Sequence, residues 1–337
     1  MSDSRLLELT YSADTLEVFV GGLPVLAHTP RTPLISVGRG IPRFRSKHGN
    51  FRIQRGLRWR RPLTRVNVQE HDATHATLRF SAPDGSAAHL DLSMETAPSG
   101  AGSASALLRG ELRADSTNGV NRVWLRLPAG RREPTYGCGQ QFSRLDLRGS
   151  RLPLWSGEQG VGRGFNFTTL AANLHSGSGG HWHSTYFPQP SYVTESGRLV
   201  HLETDSYALF DFAGARDLLE VWQSEFSFLL GAAKSLEGAV ELMSDCLGRQ
   251  PRLPEWVDRG MWLGLQGGSE VVRSKVAHAG EIGIPLSAVW VQDWVGRRVT
   301  AFGSQLFWDW KYDAKRYPDL PELIEELREQ GIHFLGY

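Results

Sequence analysis

The feature that most constrains the fold of this chain is a change in hydrophobic period late in the sequence. From Leu6 to about Phe212, short segments such as Thr15–Val20 and His89–Met94 alternate apolar with polar residues, and turn residues such as Gly21 and Gly22 separate them. Alternation with a period of two, broken by closely spaced turns, is typical of antiparallel strands with one buried face. The first part of the chain is therefore predicted to be an all-β sandwich or barrel.

Apolar residues then recur at helical spacing before a break in the sequence. The segments Leu218–Trp222 and Ser235–Ser244 both show this spacing, and Gly248 and Pro251 follow them. Glycine and proline end helices and mark linkers. The pattern predicts helices in both segments and a junction near Gly248–Pro254, with domains at residues 1–250 and 251–337.

Beyond the junction, short apolar runs alternate with helical patterns. Met261–Leu265 and Leu286–Val291 have the composition of strands buried on both faces, and Ile332–Gly336 begins a third. A helix capped by Ser269 is predicted between the first two runs, and a helix over Pro318–Gln330 before the third. Strands joined through helices pair in parallel. The fold class is thus β followed by α/β.

Composition excludes several classes of protein. The net charge of +1 argues against a mainly electrostatic partner such as nucleic acid or an anionic membrane surface. Two cysteines, Cys138 and Cys246, can form neither a disulfide framework nor a zinc quartet. No apolar run approaches the ~20 residues of a membrane helix. The N-terminus lacks the layout of a secretory signal, so a cytoplasmic location is predicted.

Polar and aromatic residues gather where the predicted parallel strands end. Gln266 follows the first strand, Gln292 and Asp293 follow the second, and the excursion after them carries Trp308. Ligands of parallel β/α folds bind at the carboxyl ends of the strands. Amides and carboxylates suit sugar hydroxyls, and indole rings stack on sugar C–H surfaces. A sugar site is predicted here, with ordinary turn and loop packing as the alternative.

Two weaker signals lie in the first part of the chain. The glycine-rich segment Leu154–Arg163 contains Glu158 and Arg163, which are either substrate contacts or a plain salt bridge. His181 and His183 follow another glycine-rich stretch and could ligate a metal, although a lone pair at this spacing is a weak signal.

A basic segment also stands out. Residues 42–65 carry nine lysines or arginines and no acidic residue, with three aromatic residues among them. This pattern is compatible with binding a polyanion. Because the whole chain is nearly neutral, a solvated strand face is favoured, and no nucleic-acid partner is predicted.

Six stretches resemble the sulfoquinovosidase branch of glycoside hydrolase family 31. They are YGCGQQFSRLDLRG from Tyr136, PLWSGEQGVGRG from Pro153, YFPQPSYV from Tyr186, LGRQPRLPEW from Leu247, LGLQGGSE from Leu263 and VWVQDWVGRRVTAFGSQLFWDW from Val289. The resemblance covers residues 130–337 and is to the N-terminal portion of the family.

The resemblance implies a fold and an activity. The family combines an N-terminal antiparallel β-sandwich with a (β/α)8 barrel, of which this chain would hold only the start. Its members hydrolyse α-glycosides with retention, using one aspartate as nucleophile and another as acid/base, without a metal or organic cofactor. Both aspartates are expected beyond Tyr337, so the chain is expected to be a fragment that is inactive alone. The alternative is a non-catalytic carbohydrate-binding remnant.

The resemblance also assigns binding positions. Gln266, Gln292 and Trp308 fall on sugar- and sulfonate-pocket positions of the sulfoquinovosidases. Asp293 adjoins them, and the segment with Glu158 and Arg163 would belong to loops that close over the barrel.

One position departs from the branch. The sulfoquinovosidases place an arginine three residues before the tryptophan, to pair with the sulfonate, whereas this chain has Gln305 before Trp308. Glutamine supplies neither the charge nor the forked donors of arginine. Sulfonated hexosides, neutral hexosides and uronate-like sugars therefore all stay open as substrates, with Arg297, Arg298 and Lys311 as candidates to replace the charge.

Overall fold

The computed structural model describes residues 7–47, 49–95, 106–115, 119–300 and 303–337. It divides into two compact units, Met1–Arg249 and Gln250–Tyr337. No helix in these ranges is long and apolar enough to cross a membrane. The first six residues, on which the prediction about a secretory signal partly depends, lie outside the described ranges.

The first unit is built mainly from β-strands. Its described strands are β1 (Leu7–Ser12), β2 (Thr15–Val20), β3 (Leu23–His28), β4 (Ile35–Gly40), β5 (Arg43–Lys47), β6 (Asn50–Gln54), β7 (Leu57–Pro62), β8 (Arg65–His71), β9 (His75–Ser81), β10 (Ala87–Glu95), β11 (Ala106–Ala114), β12 (Arg122–Pro128), β13 (Thr135–Gly139), β14 (Arg151–Leu154), β15 (Pro188–Thr194), β16 (Arg198–Glu203), β17 (Ala208–Asp211), β18 (Arg216–Val221) and β19 (Glu225–Ala232). Its α-helices are α1 (Phe167–His175) and α2 (Leu236–Leu247).

These strands form two large sheets and two smaller ones. One sheet has the order β13-β15-β16-β19-β11-β10-β9-β8 and another β14-β17-β18-β12-β4-β7, beside β1-β2-β3 and the hairpin β5-β6. Strand β9 shows why the sequence folds this way, because Ala76, Leu78 and Phe80 are buried and alternate with more exposed residues. They share one core with Val37 and Leu125 of the second large sheet. The predicted antiparallel β architecture is confirmed.

Two local predictions for this unit were wrong. Leu218–Trp222 was predicted to be helical, but β18 occupies this segment, and pairing with β12 and β17 on both sides overrides its helical spacing. Helix α1 lies where no helix was predicted. Asn166 caps it by accepting a hydrogen bond from the backbone N–H of Thr169. Phe167 and Leu174 are 84% and 80% exposed, so the helix lacks the buried apolar stripe that would reveal it.

A partly buried acidic side chain in this unit, Glu133, has a strongly shifted pKa. Glu133 accepts hydrogen bonds from the Ser196 hydroxyl, the Gly130 N–H and the Arg198 guanidinium. Burial raises its pKa, but the bonds from Ser196, Gly130 and Thr194 and the charge of Arg198 outweigh burial and lower the pKa to about 2. Between pH 2 and 4.5, Glu133 is therefore ionised in the folded state but protonated in the unfolded chain.

This shift predicts an acid dependence of stability. Because the folded pKa lies below the unfolded value, the stabilisation is complete above pH ~4.5 and is lost as the pH falls towards 2. The Glu133→Gln variant is expected to be less stable at pH 7 by about 2 kcal/mol, and the gap should close towards pH 2. Thermal unfolding between pH 2.5 and 7 measures this gap. Glu225→Gln, at an exposed ion pair with Arg113, is the control. A constant gap across this range would contradict the prediction.

The second unit alternates strands and helices. Its described strands are β20 (Met261–Leu265), β21 (Leu286–Val291), β22 (Arg297–Thr300), β23 (Gly303–Leu306) and β24 (His333–Gly336). Its α-helices are α3 (Ser269–Glu281) and α4 (Leu320–Glu329), and short 3-10 helices cover Glu255–Asp258 and Gln292–Val295. Strands β20, β21 and β24 are adjacent and parallel, which confirms the predicted pairing, and β22 and β23 form an antiparallel hairpin.

The helices of this unit bury one face against the strands. Val272 and Val276 of α3 and Leu323 of α4 share a core with Val289 of β21. The predicted cap of α3 was wrong by one residue. Gly268 is the N-cap, with φ of 104°, and a Cβ built on it would lie 2.6 Å from the backbone oxygen of Arg316. Glycine is required there because both the backbone angle and the close approach exclude a side chain.

Candidate functional site

Two predicted site residues meet at the ends of the central parallel strands. In the register of β20 and β21, Leu265 is the partner of Val291. Gln266 directly follows β20, and Gln292 directly follows β21. These two residues are therefore neighbours. The Nε2 of Gln266 donates to the Oε1 of Gln292 at 2.5 Å. Both glutamines were predicted from the sequence because they follow parallel strands, and in the structure their side chains are in direct contact.

An arginine extends this pair. Arg297, the first residue of β22, donates from Nη2 to the Oε1 of Gln266. Its Nε lies 3.8 Å from the Oδ2 of Asp293, and its side chain is 36% exposed. We call the three hydrogen-bonded residues Gln292, Gln266 and Arg297 the amide row. It presents amide groups and a guanidinium beside one another, a combination that can bind hydroxyls and an anion.

Asp293 lies beside the amide row but is fully buried. Its Oδ1 accepts the Tyr317 hydroxyl at 2.5 Å, and its Oδ2 accepts the Arg316 guanidinium and the Gly267 N–H, each at 3.1 Å. Burial and the hydrogen bond to Asp293 raise the pKa of Tyr317, which keeps that hydroxyl a donor. The carboxylate therefore ties the loop after β20 to the segment before α4.

Aromatic side chains cluster in the excursion that follows β23. The Trp308 ring lies 6.1 Å from the Trp310 ring and 5.1 Å from the Tyr337 ring, and all three side chains are exposed. The indole N–H of Trp294 donates to the backbone oxygen of Tyr337 at 3.0 Å, which connects the 3-10 helix after β21 to this cluster. Exposed ring faces of this kind can stack on the apolar faces of a sugar.

Gln305 lies in a different setting from the amide row. It is exposed on β23, with Arg298 of β22 as its cross-strand partner. The Arg298 guanidinium lies 5.6 Å from the centre of the Phe307 ring. Among the described residues, Gln305 has no hydrogen bond to Gln266 or Gln292. The structure thus joins Gln266, Gln292 and Asp293 through direct contacts or a shared neighbour, and places Gln305 and Trp308 on the excursion of the same unit.

In the first unit, Glu158 lines a cavity of about 710 Å³. Its Oε2 accepts the Tyr186 hydroxyl at 2.7 Å, and its backbone N–H donates to Gly49. Trp155 and Tyr207 also line the cavity. Three cations of the basic segment, Arg45, Lys47 and Arg52, line it too. No sequence pattern indicates that these cations and Glu158 share a cavity, because about a hundred residues separate them.

Arg163 supports the loop instead of pairing with Glu158. It donates to the Ser184 backbone oxygen at 3.0 Å and to the Gln159 Oε1 at 2.9 Å. Its guanidinium lies 4.6 Å from the centre of the Phe142 ring. The plain salt bridge that the sequence left open is therefore not formed, and Arg163 positions the segment that carries Glu158.

The two histidines near this loop stack on each other. Their rings are 5.5 Å apart with an interplanar angle of 12°. Burial, together with the neighbouring His181, lowers the pKa of His183 to about 4. Within the described ranges, no group of three or more His, Cys, Asp or Glu side chains could hold a metal ion.

The basic segment does not form one continuous free cationic face. Arg55 pairs with Glu220. Arg61 pairs with Asp84 at 2.6 Å. The Arg60 guanidinium lies 4.7 Å from the centre of the Trp124 ring. Three of the nine cations are therefore engaged within the unit, whereas Arg45, Lys47 and Arg52 line the cavity.

Comparisons with known proteins identify relatives in sequence and in structure. No family model matches the chain. It is 35% identical to a sulfoquinovosidase of Escherichia coli K12 over 93% of its own length and 45% of the relative, and 35% identical to a sulfoquinovosidase of Agrobacterium fabrum over 96% and 46%. The solved structure of a family 31 sulfoquinovosidase from E. rectale, in complex with an aza-sugar inhibitor, superposes with a TM-score of 0.84 at 32% identity, covering 98% of this chain and 48% of that one.

The chain thus spans about half the length of the curated relatives it matches. The identity extends over nearly all of its own residues, and the fold agrees over the same extent. The chain is a homologue of the sulfoquinovosidases of glycoside hydrolase family 31.

Proposed function

We propose that this protein is a retaining α-glycoside hydrolase whose substrate is an α-linked hexoside with an anionic substituent, a sulfoquinovoside. The observation that carries the proposal is the amide row at the ends of β20 and β21, in a chain 35% identical to two sulfoquinovosidases. A neutral α-hexoside needs only the amides, whereas a sulfonated sugar also uses the guanidinium.

We propose further that the second unit is the start of a (β/α)8 barrel. Three adjacent parallel strands, β20, β21 and β24, alternate with the helices α3 and α4. Substrates of such barrels bind at the carboxyl ends of the strands, where Gln266 and Gln292 follow their strands. Domains at 1–250, a β-sandwich, and 251–337, the first barrel units, follow from this proposal.

Each residue has a chemical role in this scheme. The amides of Gln266 and Gln292 bind sugar hydroxyls, and Trp308 offers a ring face for stacking. The carboxylate of Asp293 accepts hydrogen bonds from groups of the protein itself, so Asp293 acts as a positioning residue for the loop after β20. Glu158 is proposed as a polar contact for a sugar bound in the cavity of the first unit. The nucleophile and the acid/base are assigned to no residue of this chain, and no cofactor is invoked. The cytoplasmic location and the absence of a nucleic-acid or membrane partner stay predictions from the sequence.

The proposal is tested on the protein expressed from its complete reading frame. Hydrolysis of 4-nitrophenyl α-sulfoquinovoside is followed by proton NMR in deuterated buffer, with the α-glucoside as the neutral comparison. Retention predicts that the α-anomer of the released sugar forms first and then mutarotates. First formation of the β-anomer would contradict a retaining mechanism, and the absence of nitrophenol would contradict hydrolysis.

A second candidate is non-catalytic carbohydrate binding. The cavity of about 710 Å³ in the first unit favours it, because Trp155, Tyr207 and Glu158 offer stacking faces and a polar group. Saturable binding of the sulfoquinovoside without release of nitrophenol would support this candidate over the enzyme.

A further inference from the structure

We propose that Arg297 is the residue that selects for the anionic substituent of the substrate, in place of a cation at position 305. This inference rests on the proposed function and adds the group that would determine its specificity. Position 305 holds an uncharged glutamine, so an anionic substituent needs a cation from elsewhere in the site.

The position of the Arg297 side chain is the first argument. Its Nη2 donates to the Oε1 of Gln266, and Gln266 donates in turn to Gln292. The guanidinium therefore stands at the end of a row whose other members are proposed to bind sugar hydroxyls. A sugar bound to the amides would bring a substituent on a neighbouring carbon within reach of this cation.

The charge around Arg297 is the second argument. Its nearest carboxylate, Asp293, lies 3.8 Å from its Nε, which is beyond hydrogen-bond distance. Asp293 already accepts hydrogen bonds from Arg316 and Tyr317. Arg297 thus has an ion-pair partner in Asp293, but within the described ranges its guanidinium donates no hydrogen bond to a carboxylate. Its partial burial reduces screening by salt, so its charge remains available to an anionic ligand.

The other candidate cations lie elsewhere. Arg298 is the cross-strand partner of Gln305, and its guanidinium lies beside the Phe307 ring. Successive residues on a strand point to opposite faces, so Arg298 shares the face of Gln305, whereas Arg297 lies on the other face, where its side chain contacts Gln266. Lys311 is exposed in the excursion, and its backbone N–H donates to Asp309. Neither has a hydrogen bond to Gln266 or Gln292 among the described residues.

The test compares three variants of the protein expressed from its complete reading frame. For Arg297→Gln, Arg297→Lys and Arg298→Gln, kcat/KM is measured on the 4-nitrophenyl α-sulfoquinovoside and α-glucoside. We expect Arg297→Gln to lower the ratio of sulfonated to neutral kcat/KM by about 10- to 100-fold, mainly through a higher KM for the sulfonated substrate. Arg297→Lys should keep part of the ratio because the charge remains. Arg298→Gln should leave the ratio within about 3-fold of wild type.

The outcomes separate this inference from the proposed function. If wild type prefers the sulfonated substrate and Arg297→Gln keeps that preference, the assignment of Arg297 is overturned and the enzyme proposal stands. A larger loss of the ratio in Arg298→Gln than in Arg297→Gln also overturns it. If wild type hydrolyses neither glycoside, the proposed function itself fails. Equal thermal unfolding midpoints of the three variants establish that the comparison concerns binding and not folding.

Discussion

The Asp293→Ala variant is expected to destabilise the second unit by about 3–5 kcal/mol, because it leaves buried groups without their partner. Asp293 has no exposed surface. Its removal takes a hydrogen-bond acceptor from the Tyr317 hydroxyl, the Arg316 guanidinium and the Gly267 N–H. Removing a buried hydrogen-bond acceptor costs far more than removing a surface charge, since the fully buried Tyr317 hydroxyl is left without its partner.

Hydrogen exchange measures this loss within the intact protein. The amides of β21, followed by mass spectrometry, report the opening free energy of the second unit without separating it from the first. Asp309→Ala is the matched control, because Asp309 is an exposed carboxylate of the same excursion that, among the described residues, accepts only the Lys311 N–H at 3.2 Å. We expect a loss below about 1 kcal/mol for the control. An equal, small effect of both variants would show that Asp293 does not hold the site together.

The Arg148→Met variant is expected to destabilise the first unit by about 3–5 kcal/mol. The side chains of Arg148 and Asp217 are 8% and 1% exposed, and Nη1 of the arginine lies 2.6 Å from Oδ1 of the aspartate. Arg148 also donates to the Glu133 backbone oxygen at 2.7 Å and the Thr135 hydroxyl at 2.6 Å. Tyr192 donates its hydroxyl to the other oxygen of Asp217 at 2.9 Å. The substitution leaves a buried carboxylate without its counter-ion.

Urea unfolding monitored on the first unit, with two further variants, tests the cause of this loss. Arg151→Met removes an arginine that pairs with Asp211 at 2.5 Å on the surface, where the arginine is 60% exposed, so a loss of at most about 1 kcal/mol is expected. The double variant Arg148→Met/Asp217→Asn should recover part of the loss, because an amide needs no counter-ion. If the double variant is no more stable than Arg148→Met, the buried charge of Asp217 is not the cause.

The buried carboxylate of Asp217 has a further consequence. The stability that Arg148→Met loses relative to wild type should become smaller in acid. Burial already raises the pKa of Asp217, against the opposing effect of Arg148. Without Arg148, the folded state should protonate Asp217 at a higher pH than the unfolded chain does. The stability of Arg148→Met relative to wild type should therefore increase as the pH falls from the folded-state pKa of Asp217 towards its pKa in the unfolded chain. It should decrease as the pH rises between the same two values.

Much of the fold could be predicted because burial on one face leaves a pattern in the sequence. His89–Met94 alternates and lies within β10, and Leu286–Val291 is a continuous apolar run and forms β21. The sequence pattern gives a wrong prediction where the spacing of apolar residues favours one element and pairing with distant strands favours another. Leu218–Trp222 has apolar residues at helical spacing, but two neighbouring strands pair with it. The local sequence does not show the stabilisation that this pairing provides.

The candidate site was predictable only in part, for a related reason. Gln266 and Gln292 meet because parallel strands end together, and the sequence shows where each strand ends. The burial of Asp293 depends on Tyr317, which is 24 residues away and packs against it only in the folded unit. Arg297, which contacts Gln266, lies in the hairpin β22-β23, a feature that the sequence pattern did not predict.

Substrate preference tests the central claim most directly. The measurement is the ratio of kcat/KM for 4-nitrophenyl α-sulfoquinovoside to that for 4-nitrophenyl α-glucoside, by the protein expressed from its complete reading frame. A site that pairs a guanidinium with the sulfonate predicts a ratio of about 100 or more in favour of the sulfonated substrate, since the neutral sugar leaves that cation unused. A ratio near or below one would contradict the account and would assign the amide row to a neutral hexoside.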